Sequence, residues 1–186
     1  MIRHTIRLAF FVAGLAVFTH SAWSDQKNEE LDELFFRLHE TTDMFEAASL
    51  SRDIWKNWYQ NSNPDIEALM KQGEISMQRA DYPDAVQLYT QVIKLDPDFA
   101  EGWNRRATVL YLMGEFQLST NDVVETLKLE PRHYGALSGQ GLIYLQLQER
   151  RLALEYFEKA LEANPHMSNV RENIEMLKKL IDEEVI

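Results

Sequence analysis

The segments KLDP at residues 94–97, KLEP at 128–131 and EANP at 162–165 decide the fold. Their prolines, Pro97, Pro131 and Pro165, recur at intervals of 34 residues. A proline lacks the N–H that a helix needs and its ring clashes with the preceding turn. Each segment therefore reads as the end of one helix and a forced stop before the next unit. A fixed period of this length marks an array of stacked helical units.

Placing each proline at the thirty-second position of a unit starts the units at Ile66, Ala100 and Tyr134. Read place by place, the fourth position holds Leu69, Trp103 and Leu137, and the eighth holds Gly73, Ala107 and Gly141. The eleventh holds Ser76, Leu110 and Tyr144, the twentieth Ala85, Ser119 and Ala153. The twenty-fourth holds Tyr89, Val123 and Phe157, the twenty-seventh Val92, Thr126 and Ala160. Small residues at the eighth and twentieth places let two antiparallel helices approach, and bulky ones fill the groove beside them. Asp98 followed by Glu101 reads as a capping box for one helix, and Asp81 before Pro83 as the opening of another.

This period and its large and small places resemble the tetratricopeptide repeat (TPR) pattern over residues 66 to 165. The resemblance implies an all-α, right-handed solenoid of helical hairpins, with three repeats at 66–99, 100–133 and 134–165 inside a region spanning 63–165. It also implies a concave surface lined by the first helix of each pair, on which family members hold an extended peptide or a partner helix. Carried over by position, the exposed places are Glu67, Met70, Lys71, Glu74, Met77 and Gln78 in the first repeat. They are Glu101, Asn104, Arg105, Thr108, Tyr111 and Leu112 in the second, and Gly135, Ser138, Gly139, Leu142, Leu145 and Gln146 in the third. Lys71, Glu74, Glu101, Asn104, Arg105, Thr108, Tyr111, Ser138 and Leu142 are the partner-binding candidates. Some family members clamp a chaperone's terminal carboxylate with Lys, Asn and Arg. Met70, Glu74, Gly135 and Gly139 stand where much of that clamp would be, which disfavours chaperone tails.

Outside the repeats, residues 25–62 carry two helical patterns, Leu31, Leu34, Phe35 and Leu38, then Phe45, Ala48, Ile54, Trp55 and Trp58. They read as a degenerate helix pair covering the first repeat's open end. Residues 166–186 read as a capping helix, with Asn169 as its cap, Glu172 three residues on, and Val170, Ile174, Leu177 and Ile181 on one face. At the other end, Arg3, His4 and Arg7 precede an apolar run from Leu8 to Phe18, followed by the small residues of Ala22-Trp23-Ser24. This is the layout of a secretory signal peptide over residues 1–24, cleaved after Ser24. The run is shorter than the ~18–20 residues of a spanning helix. The expectation is an exported, periplasmic protein with no stable membrane insertion after cleavage.

The chain of 186 residues has a formal charge of -11 and no cysteine. No disulfide can contribute to its stability. Loss of Arg3 and Arg7 with the signal would take the charge to -13. Such an acidic balance opposes a phosphate backbone, so nucleic acid is not expected as a partner. The scattered His39, His133 and His166, with no cysteine to join them, give a metal site only weak support, and no phosphate loop, nucleophile elbow or HExxH occurs. Neither a cofactor nor catalysis is expected.

Two stretches depart from a generic repeat, DPDFAEGWNRRA at 96–107 and EPRHYGALSG at 130–139. They resemble segments of small, predicted periplasmic TPR proteins of proteobacteria. Arg106 takes a place the family usually gives to leucine, and a charge there must be paired. One reading is an inter-repeat salt bridge with Glu130 or Asp122. The other makes Arg105, Arg106, Arg132 and His133 an anion-receiving patch, in which case reversing Arg105 to Glu would leave folding intact. The leading function is an adaptor or scaffold in the cell envelope that binds a protein or peptide on the concave face. A homo-oligomeric structural subunit and a holder of exported clients are the alternatives, with an enzyme behind both.

Overall fold

The structure, a computed structural model, describes residues 22–183, with side chains from residue 29. The signal peptide expected at 1–24 lies outside the described residues apart from its last three. Nine helices and no strand occur among the described residues: α1 (Ala22–Glu40), α2 (Met44–Tyr59), α3 (Pro64–Gln78), α4 (Tyr82–Leu95), α5 (Ala100–Leu112), α6 (Phe116–Leu129), α7 (Tyr134–Gln146), α8 (Arg150–Ala163) and α9 (Ser168–Glu183). Helices α3 to α8 form three hairpins in series, with α9 packed on α8.

The period is built into the backbone. The residue before each repeat proline, Asp96, Glu130 or Asn164, is held extended at φ between -138° and -144°, as the proline ring requires. Its side chain then accepts the N–H two residues on, from Asp98, Arg132 or His166. The turn inside each hairpin is equally periodic. Ala80, Gly114 and Gln148 sit in the left-handed region at φ 58°, 79° and 60°. Each donates back to the carbonyl three residues earlier, and the next residue, Asp81, Glu115 or Glu149, bonds the carbonyl five earlier. This closes the last helical turn as a Schellman motif.

Within each hairpin the small and large places are matched in volume. A Cβ on Gly73 would lie 2.6 Å from the Tyr89 ring, and one on Gly141 2.6 Å from the Phe157 ring. Where the opposing residue is the smaller Val123, Ala107 is accommodated, and both are buried. Asp81 caps α4 as expected, accepting from the Asp84 N–H. The capping box at Asp98 does not form. Phe99 occupies the N-cap of α5 without a side-chain bond, because Glu101 is turned inward to other partners. Helix α9 begins at Ser168, one residue ahead of the expected cap Asn169, and buries Val170, Ile174 and Leu177.

The first two helices depart most from expectation. Phe45 is 89% exposed and Ala48 is exposed, while Ala47, Leu50, Ile54 and Trp58 form the buried stripe of α2. Leu31, Phe35 and Leu38 of α1 join this stripe in one apolar cluster with Tyr134, Leu137 and Phe157 of the third hairpin and Leu177 of α9. The α1–α2 pair therefore does not simply close the first repeat's end. It runs along the edge of the array where the three proline junctions lie, two between repeats and one between α8 and α9, and touches all three. Asn61, just after α2, donates to Asp96 at the first junction. Asp32 pairs with Arg132 at the second. His39 reaches the Glu162 carbonyl, Asn164 reaches Ser51 and His166 reaches the Leu38 carbonyl at the third. Apolar area on α7 is what the array offers there, and Leu31, Phe35 and Trp58 cover it.

Candidate functional site

Arg105, Arg132 and His133 are brought to the seam between the α1–α2 pair and the array, while Arg106 lies apart from it between α4 and α6, and acids meet each of the four. Arg106 makes a two-pronged bond to Asp122, Nε to Oδ2 and Nη2 to Oδ1, both at 2.7 Å, and its Nη1 donates to Thr90. The Asp122 pairing is thus within the second repeat, and only the Thr90 bond crosses to the first. Arg132 bonds Glu130 and Asp32, with its guanidinium 4.5 Å from the Phe35 ring centroid. Arg105 donates Nε to Glu101 at 2.6 Å and lies over the Tyr59 ring. The paired-charge reading accounts for Arg106 and Arg132.

Glu101 is the centre of the seam. It is wholly buried, and it accepts from Asn104 Nδ2, Arg105 Nε and His133 Nε2. His133 Nδ1 accepts the Ala136 N–H, which leaves Nε2 as the nitrogen that donates to Glu101. Burial by itself would raise the Glu101 carboxyl. The hydrogen bond and charge of His133, with the Arg105 guanidinium, outweigh it and hold the group below its ordinary value. Trp58 stacks on the face of the His133 ring, and Trp55 meets the same ring edge-on. Both unusual sequence stretches meet α2, the first through Arg105 over Tyr59 and the second through His133 and Tyr134 against Trp55 and Trp58. A Cβ on Gly135 would come within 2.6 Å of Trp55, so any larger residue there would have to displace that ring.

This arrangement corrects three expectations about the inner surface. Met70, Glu101 and Asn104, expected to be exposed, are buried. Helix packing takes up Met70, and the seam takes up the other two. Reversal of Arg105 to Glu would set a carboxylate against buried Glu101, so the fold would not tolerate it quietly. Of the remaining candidates, Lys71, Glu74, Thr108 and Leu142 are exposed, and Arg105, Tyr111 and Ser138 are half-buried.

Between α5 and α7 a cleft of about 190 Å³ stays open, lined among others by Asn104, Thr108, Tyr111, Ser138, Gly139 and Leu142. Gly139 faces open space, and a Cβ there would meet nothing within 4 Å. Thr108 spends its hydroxyl proton on the Asn104 carbonyl and Ser138 on the Gly135 carbonyl, leaving their oxygens free to accept. Lys71 and Glu74 lie on α3, away from this cleft's lining. The part played by α2 is not readable in the sequence: the spacing of Trp55 and Trp58 puts them on an apolar face but carries no signal of the partners they meet.

Stacked hairpins with a 34-residue period and an inner cleft define a class of interaction scaffold. Residues 73–114 match the family model for the TPR repeat, and residues 134–167 match that for the tetratricopeptide repeat. A TPR repeat-containing protein of Rhizobium etli is 33% identical over 154 residues, which cover 83% of this chain and 76% of the relative. The chain belongs to the tetratricopeptide repeat family. Among solved structures, the Sgt2 TPR domain of Aspergillus fumigatus is similar with a TM-score of 0.62 and 26% identity, over 66% of this chain and 82% of that one. The first TPR domain of Spaghetti (RPAP3), bound to an HSP90 peptide, shares the fold with a TM-score of 0.61 and 19% identity, over 63% of this chain and 94% of that one. The protein is a protein-interaction module of this family.

Proposed function

We propose that this module works in the cell envelope after export, and that it holds an extended protein segment in the cleft between α5 and α7. The observation that carries the reading is the cleft itself. The α1–α2 pair covers the junction edge of the array yet leaves Thr108 and Leu142 exposed beside Tyr111 and Ser138. An exposed leucine, a tyrosine edge and hydroxyl oxygens suit a peptide bound by modest apolar contact and hydrogen bonds. The layout of residues 1–24 supports export. A chaperone tail is disfavoured, since Met70 is buried and Gly135 and Gly139 offer no cation. Nothing in the cleft brings an acid and a base together for chemistry, and the reading is of a binding protein rather than an enzyme.

A photo-crosslinking residue at Thr108 in living cells tests this, followed by mass spectrometry of the adducts. Thr108 suits the purpose better than Asn104, which is 7% exposed and bonded to Glu101. One dominant envelope protein would establish an adaptor. Many exported chains would indicate a client holder, and self-adducts a homo-oligomer. An absence of adducts at Thr108 and at Leu142 would sink the reading.

A further inference from the structure

Helix α2 has a second side, which its buried stripe of Ala47, Leu50, Ile54 and Trp58 leaves partly open to solvent. Arg52, Trp55, Lys56, Tyr59 and Gln60 on that side, with Glu67 of α3 and Arg105 of α5, line a cleft of about 530 Å³. Small-molecule sites run from roughly 300 to 1,000 Å³ and combine apolar walls with a few convergent polar groups. This cleft has both. Trp55 and Tyr59 supply aromatic surface, and the methylene stems of Arg52 and Lys56 extend it while their charged heads reach water.

Its charge runs against that of the chain. Among the described residues, the side chains of Arg52 and Lys56 make no hydrogen bond or ion pair, although like charges one helical turn apart repel and the formal charge of the chain is -11. Arg105 uses Nε on Glu101, and its two terminal nitrogens have no hydrogen-bond partner among the described residues. Glu67 is the acid of the lining, with Glu101 beneath Arg105 and Glu74 near enough to act on Tyr59. Trp55 is held from behind, edge-on to Trp58, His133 and Tyr134, so its exposed face is set before anything binds.

The geometry points to a site for a small organic anion with a planar apolar body, such as an aryl carboxylate. The plane lies against Trp55 and Tyr59, and the carboxylate meets Arg52, Lys56 and the free nitrogens of Arg105. This site is built mainly by a helix outside the repeats, with Glu67 and Arg105 from the array, and shares no lining residue with the cleft between α5 and α7.

The test titrates the full chain with 2-naphthoate at low ionic strength, by calorimetry and by tryptophan fluorescence. Neutral 2-naphthylmethanol serves as control. Saturable binding is expected, about tenfold weaker for the alcohol and about tenfold weaker in an Arg52→Glu/Lys56→Glu variant with an unchanged melting curve. Lys56→Gln alone, expected to weaken binding about threefold, covers the case in which the double reversal disturbs the helix. Equal affinity for the alcohol, unchanged affinity in Lys56→Gln, or no saturable binding of 2-naphthoate overturns the assignment. So does binding of a capped Glu-Phe dipeptide in its place, which would make the cleft a peptide subsite.

Discussion

Trp58 lies flat on His133, with ring centroids 4.1 Å apart and planes 13° from parallel. The two residues come from opposite sides of the seam, one from the helix pair outside the repeats and one from the junction between the second and third. His133 in turn caps α7 and bonds Glu101, the buried carboxylate at the start of α5. A single stack thus ties α2 to two repeats, and it makes the helix pair part of the array's core.

Deleting residues 22–60 should therefore abolish cooperative folding. It would uncover Tyr134 and Leu137, now at most 6% exposed, and leave His133 without its stacking partner. Burial of each such side chain is worth about 1.5–3 kcal/mol, comparable in sum to the whole stability of a domain. Urea unfolding of the intact chain, followed by circular dichroism and by tryptophan emission, should give coincident transitions. Separate transitions would show a detachable pair.

Gly135→Ala should destabilise by about 1–3 kcal/mol, since the added Cβ meets Trp55 at 2.6 Å and His133 at 3.3 Å. Gly139→Ala, four residues on in the same helix, meets nothing and should stabilise by about 0.5–1 kcal/mol. Chemical denaturation of the two variants side by side measures both signs. Equal effects would mean that Trp55 yields freely.

Gln148→Gly should stabilise by about 1 kcal/mol, because glycine carries no steric penalty at φ 60°. Gly114 already occupies the equivalent place in the second repeat. A shift in melting temperature checks it, and Gly114→Gln should move the midpoint the other way.

Glu101→Gln should cost about 3 kcal/mol at neutral pH, by leaving Arg105 beside a neutral group in a buried seam. The folded value of the Glu101 carboxyl is depressed. Its contribution is present above the ordinary carboxylate value near ~4.3 and is lost as pH falls through the folded value. The unfolding free energy of the native chain should drop below about pH 4.5 more steeply than that of the variant. Parallel profiles would remove Glu101 from the account.

Arg106 and Asp122 should show a coupling of about 2 kcal/mol in a double-mutant cycle with Arg106→Met and Asp122→Asn, given a two-pronged bond with the acid 5% exposed. Thr90→Val should reduce that value by less than half. A coupling near zero would return Arg106 to the candidates for ligand contact.

The hairpins are legible in the sequence because they are local. A proline every 34 residues, a small residue eight places into each unit and an aromatic or branched one at the twenty-fourth all act within one or two helices. The cap at Asp81 is readable for the same reason. The box at Asp98 misleads because Glu101, three residues on, has the right chemistry for a cap but is drawn to His133, 32 residues away. Repeat position alone places Thr108, Tyr111, Ser138 and Leu142 on the inner surface, and all four line the open cleft. It does not show that Met70 and Asn104 are buried.

The sequence alone thus determined the hairpin array, its period and the proline stops between its units, since each follows from steric limits and packing between near neighbours. Where α1 and α2 lie was decided by the tertiary structure. Their apolar stripes could cover any uncovered hydrophobic surface, and hydrophobic burial has no direction of its own. What directs them is a set of specific long-range fits: Trp55 against Gly135, Trp58 on His133, Asp32 with Arg132. Such fits exist only once residues 75 to 100 positions apart meet, and the loop-closure entropy of doing so has to be met by the whole seam at once.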